Sequence, residues 1–119
     1  MPERELPTAP IIAARAAESK KAVNVRVLDL SDISSFTNYF VVCSGTNSRQ
    51  IQAIADEVET ELRKQGERPL GMEGYDKADW VLADYGDFIV HIFSQQAREF
   101  YDLERLWRNA KEIKVPSEV

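Results

Sequence analysis

The chain has 119 residues and a mass of 13.6 kDa, the size of one domain closing a single core. Hydrophobic residues make up 44% and charged residues 29%, the balance of an ordinary soluble globular protein. A net charge of −5 argues against a nucleic-acid binder that neutralises phosphates, and suits a basic partner instead.

Cys43 is the one cysteine, which excludes an intramolecular disulfide and a cysteine-based zinc site. No apolar run has the length of a membrane span, and MPERELPTAP has the character of neither a secretory signal nor a transit peptide. The expectation is a cytoplasmic protein with a loose tail over residues 1–8 and one domain over 9–119.

In chain order, Ala-rich IIAARAAESKK (11–21) predicts a helix, with Lys20 and Lys21 at its electronegative end. VNVRVLDL (23–30) alternates like a half-buried strand, and SDISSFTN (31–38) is loop chemistry. YFVVCS (39–44) predicts a central strand buried on both faces. After Gly45, Thr46 or Asn47 can cap a helix whose apolar stripe is Ile51, Ile54, Ala55, Val58 and Leu62. Gly66 fits the position just past its end, and RPLGMEG (68–74) is at best an edge strand. DWVLADYGDFIVHIF (79–93) predicts a hairpin, and SQQAREFYDLERLWRNAKEI (94–113) a long final helix. Mixed helices and strands ending in a hairpin predict an α/β domain: a mixed sheet of about five strands with flanking helices.

Three candidate chemistries are each set against a plainer reading of the residues. SGTNSR (44–49) lies between strand and helix like a phosphate cradle, but no Lys follows in the P-loop pattern. A nucleotidyltransferase would want two metal-binding carboxylates two residues apart on the next strand; Asp56 and Glu57 are adjacent on a helix instead. Cys43, inside an apolar strand, reads as a small core residue. His91 is the only histidine available as a base or ligand, with Asp79, Asp84 and Asp87 near in sequence, and no nucleophile elbow accompanies it.

With Tyr85-Gly86 as a two-residue turn, Asp84 faces Asp87, Leu82 faces Ile89 and Trp80 faces His91. One face is then wholly apolar. The other carries Trp80, Leu82, Ile89, His91 and Phe93 and runs out into two opposed aspartates. Two readings stay open at this point: a docking surface for a basic partner, or a helix-covered face with solvated turn acids.

DWVLADYGDFIVHIF followed by REFYDLERLW resembles the signature of the ribosomal silencing factor family, also called the Iojap-related or RsfS family. LDLSDISSFTNYFVVCSGTNSRQIQAIADEV resembles its other well-marked block, so the resemblance covers about residues 12–112. It implies a topology similar to nucleotidyltransferases without their catalytic acids. It also implies a non-enzymatic regulator of translation with no catalytic residue, metal or cofactor. Such a protein binds the large ribosomal subunit through its uL-fourteen protein and blocks joining of the small subunit. The alternatives are a large-subunit assembly factor or a divergent metal-dependent nucleotidyltransferase or hydrolase.

Trp80, Leu82, Asp84, Tyr85 and Asp87 match the hairpin motif, and His91, Arg98, Tyr101, Glu104 and Trp107 the string after it. The expected partner-binding residues are Trp80, Leu82, Asp84, Tyr85, Asp87, His91 and Tyr101, with Trp80 and Leu82 as anchors and Asp84 and Asp87 as acidic rim. The family usually has Asp where this chain has Asn38. No membrane or sequence-specific nucleic-acid partner is expected, and the exposed patch predicts a weak homodimer of the free protein.

Overall fold

The computed structural model describes residues 7–116, so most of the tail expected over 1–8 lies outside it. Helix α1 (Thr8–Ser19) begins three residues before the predicted start. Pro10 is no obstacle there, because first-turn N–H groups have no intrahelical acceptor. Ala13, Ala14, Ala16 and Ala17 are all buried, and their small size lets α1 lie close against its neighbours.

Strand β1 (Val23–Asp29) leads through the 30–38 loop to β2 (Tyr39–Gly45), which is buried from Phe40 onward, as its continuous apolar run requires. Helix α2 (Ser48–Lys64) starts at Asn47, whose side chain accepts the Gln50 N–H at 2.8 Å. All five residues of its predicted stripe are buried, and Ile51, Ile54, Val58 and Leu62 each contribute roughly 1.5–3 kcal/mol. Gly66, at φ 82°, donates to Arg63 O while Glu67 N–H reaches Leu62 O, which satisfies the helix's last carbonyls.

Strands β3 (Gly71–Glu73), β4 (Trp80–Asp84) and β5 (Phe88–Ser94) come next. The hairpin register differs from the expected one by two residues: Trp80 pairs with Phe93, Leu82 with His91 and Asp84 with Ile89. The turn is centred on Gly86-Asp87, not Tyr85-Gly86. Tyr85 N–H donates to Phe88 O, Tyr85 O accepts the Asp87 N–H at 3.0 Å, and Gly86 between them takes φ 84°, a conformation that favours glycine. Tyr85 and Phe88 become a stacked cross-strand pair with centroids 4.9 Å apart. A shift of two preserves the faces, so the division into an apolar and a mixed face stands.

The long final helix is not formed. Helix α3 (Gln95–Tyr101) stops at Asp102, which adopts φ 47°. A single turn, α4 (Leu103–Leu106), comes after it, and Lys111–Ile113 forms strand β6 against β1. The sheet therefore has six strands, in the order β3-β4-β5-β2-β1-β6, with β2 and β5 parallel and the other pairs antiparallel. Helices α1 and α2 cover one face over the larger core, which includes Val41, Val81, Phe88 and Val90. The α3–α4 segment lies on the other face over Leu28, Phe40, Val42 and Phe93. This is the predicted α/β class.

Candidate functional site

The mixed face of the hairpin is the thinly covered side of the sheet. On β4 it presents Trp80, Leu82 and Asp84, all half-buried; on β5 it presents Ile89, His91 and Phe93. Phe93 is fully buried and forms the floor. Trp80 stacks on it at 5.0 Å, and Tyr101 of α3 packs beside the indole at 4.6 Å, its ring 6.5 Å from that of Phe93. Tyr101 remains 46% exposed and Trp80 half-buried, so this aromatic layer stays open to solvent.

His91 lies beneath this layer, 3% exposed. Its Nδ1 accepts the Trp80 Nε1–H at 3.1 Å, and its ring meets Phe40 at 4.5 Å and 76°. Burial pushes its pKa down to about 3, so the imidazole is neutral at physiological pH. An accepting Nδ1 places the proton on Nε2, for which no described residue supplies an acceptor. His91 orients Trp80 from below and does not face solvent.

Tyr85 is also inside. It is 7% exposed, on the α2 side of the sheet, and burial raises its pKa to about 12. Of the seven expected contact residues, Trp80, Leu82, Asp84, Asp87 and Tyr101 thus reach the surface, wholly or in part, while Tyr85 and His91 support it from within.

The two aspartates have local roles that the expected register hid. Asp84 Oδ1 accepts the Gly86 N–H at 2.8 Å, closing the turn by an Asx bond. Asp87 Oδ1 accepts from Asn38 Nδ2 at 2.5 Å, and Asn38 N–H donates to Asp87 O at 2.9 Å. The acids do not oppose one another across the hairpin, and folding gives each a reason to be there. At position 38 an amide supplies a donor where a carboxylate would repel Asp87.

Sequence reasoning missed the contribution of the 31–38 loop. Phe36, 60% exposed, extends the aromatic face to within 6.0 Å of Trp107 and 6.3 Å of Phe40. Ile33 is also exposed. Two apolar residues in an otherwise polar loop were the available signal.

A polar cluster fixes the other end of the face. Glu104 accepts from Arg98 Nε at 2.9 Å and Nη2 at 3.0 Å, and from Arg26 Nη1 at 2.5 Å. Arg26 also reaches Glu112, and Arg98 Nη1 donates to Ser44 Oγ and Val23 O. Burial works to raise the Glu104 pKa, but the bonds from Arg98 and Arg26 outweigh it and the net shift is downward. These residues hold α4 and β6 to β1; they are not free to bind an anion.

Among the described residues, the side chains that the chemical alternatives would use are buried or locally bonded. Among the described residues, no three His, Cys, Asp or Glu side chains converge to hold a metal. Asp79 accepts from Ser94 Oγ, so each of the three aspartates near His91 in sequence has a local partner. Burial pushes the Cys43 thiol up to about 12, where it is unreactive. At the strand-to-helix turn, Asn47 and the Gln50 side chain use the polar groups a phosphate would need. A Cβ on Gly45 would meet Ile51 Cγ1 at 2.7 Å, so this glycine serves close packing. No described helix is long and apolar enough to cross a membrane.

Residues 3–119 match the family model of RsfS, ribosomal silencing factor during starvation. The chain is 42% identical to "Ribosomal silencing factor RsfS" of Bacillus subtilis over 83% of its own length and 84% of that protein's. It is 30% identical to mouse "Mitochondrial assembly of ribosomal large subunit protein 1", covering 74% of this chain and 40% of that one. A crystal structure of a Chromobacterium violaceum protein superposes with a TM-score of 0.84 at 30% identity, covering 97% and 95% of the two chains. The half-covered aromatic face and its acidic turn are therefore features of a chain that belongs to the RsfS family of ribosomal silencing factors.

Proposed function

We propose that this protein docks on the large ribosomal subunit through its uL-fourteen protein and blocks joining of the small subunit by occupancy, in the cytoplasm and without catalysis. The observation that carries the reading is the aromatic face of β4 and β5, left half-open by α3 and bordered by Asp84 and Asp87. An apolar centre with a charged rim is the anatomy of a protein interface, and acids at the rim suit a basic ribosomal protein. Trp80 and Leu82 are the anchors and Tyr101 flanks them. His91 and Tyr85 hold the hairpin's shape from inside. In the free protein the same face supports a weak homodimer that yields to the ribosomal partner.

A second reading is a large-subunit assembly factor, favoured by the similarity to the mouse assembly protein. Both readings use one docking event and differ in its consequence for the ribosome. Sedimentation with purified subunits tests the docking. Adding the protein to mature subunits before they join separates the two: silencing lowers the joined fraction, and a role confined to assembly leaves it unchanged.

A further inference from the structure

We infer that Asn38 is a positioning residue for docking, holding the Asp87 carboxylate in the orientation that meets the partner. The inference rests on the docking reading above. Asp87 occupies the second central position of the hairpin turn and is exposed, so an untethered side chain there would sample several rotamers. Two backbone acceptors tie the turn to the loop: Asn38 N–H donates to Asp87 O at 2.9 Å, and Thr37 Oγ1 to Gly86 O at 3.1 Å. Those bonds already place the loop. The further bond from Asn38 Nδ2 to Asp87 Oδ1 fixes only the carboxylate.

Asn38 is itself anchored, because its carbonyl accepts at 2.7 Å the N–H of Leu30, a buried core residue just past the end of β1. It is therefore the fixed member of the pair and Asp87 the held one. The amide donates without bringing a positive charge, so the rim's negative charge is oriented and not cancelled. Among the described residues none donates to Asp87 Oδ2, which is left for a basic side chain of the partner. Both residues are exposed, and an exposed hydrogen bond adds little to folding because water competes for both groups. Ordering the carboxylate beforehand instead removes part of the entropy lost on binding.

The test is a double-mutant cycle on affinity for purified large subunits, with the thermal midpoint of each variant measured alongside. Asn38→Ala should weaken binding about two- to tenfold, the scale of one immobilised side chain. Asn38→Leu keeps about the same size, loses the donor without changing the charge and should weaken it at least as much. Asp87→Ala should weaken it more, and Asn38→Ala with Asp87→Ala should bind no worse than Asp87→Ala alone. Midpoints should move by about 3 °C or less. Multiplying losses, unchanged binding by Asn38→Ala, or a loss explained by unfolding would overturn the inference. Wild-type protein that fails to bind would overturn the docking reading with it. Binding that Trp80→Ala destroys and Asn38→Ala spares would overturn this inference alone.

Discussion

Trp80 and His91 form one unit: the indole N–H donates to a buried, neutral imidazole 3.1 Å away, so the best candidate anchor is oriented by a residue that cannot itself reach a partner. Trp80→Phe keeps a ring against Phe93 and Tyr101 but leaves His91 Nδ1 without its donor. It should destabilise the protein by about 1–2 kcal/mol in chemical denaturation. Trp80→Ala should cost about 3 kcal/mol, because it also opens the aromatic stack. Equal stability of Trp80→Phe and wild type would mean that the bond contributes nothing.

His91 also sets a pH dependence. Its pKa falls from 6.5 when unfolded to about 3 when folded, so the unfolded chain takes up a proton first as pH drops. The stability present above pH 6.5 is then lost on acidification, at up to about 1.4 kcal/mol per pH unit, until pH falls through about 3. His91→Gln keeps an acceptor for Trp80 and does not titrate. Denaturation curves between pH 6.5 and 5 should therefore be flatter for the variant than for wild type; parallel curves would contradict the assignment of a buried neutral imidazole.

Glu104→Gln should loosen the α4–β6 segment. The change removes the charge shared by Arg98 and Arg26 and leaves a mostly buried guanidinium beside a neutral amide. A cost of about 2 kcal/mol is expected, below that of a fully buried pair because Arg26 is partly exposed. Hydrogen exchange should rise first at the amides of Lys111–Ile113, which belong to a three-residue edge strand. Faster exchange confined to α1 and α2 would place the weak point elsewhere.

Asp84→Ala should destabilise the hairpin by about 1 kcal/mol through loss of the bond to Gly86 N–H. The register expected from sequence had the two acids facing each other, which would make their removal stabilising. The thermal midpoint decides between the two directions.

That reversal shows where the sequence was legible. Binary pattern determined the faces, and a register error of two left them intact, so the apolar and mixed sides of DWVLADYGDFIVHIF were readable. The turn centre was not, because Tyr85-Gly86 and Gly86-Asp87 both put glycine in a two-residue loop, and the Tyr85–Phe88 stack that accompanies the second is a tertiary contact. The helix stripe of α2 and the caps at Asn47 and Gly66 depend on local chemistry and were readable too. The final helix failed because residues 102–113 answer to distant partners: Glu104 to Arg26, and 111–113 to the open edge of β1. Depth was the other loss. Tyr85 and His91 belong to the motif string, yet only the packed structure shows that they lie under the surface their neighbours form.

The central claim is that the half-open face of β4 and β5 is the docking surface, and gradient sedimentation with purified ribosomal subunits tests it most directly. Wild-type protein should migrate with the large subunit and not the small one, and adding it before the small subunit should reduce the joined fraction. Binding should weaken with salt, because Asp84 and Asp87 meet a basic surface through screened charges. Trp80→Ala, assayed at a temperature where it remains folded, should lose on the order of 2 kcal/mol of binding, about thirtyfold. Folded Trp80→Ala that binds the large subunit as tightly as wild type would contradict the claim and return Trp80 to the core alone.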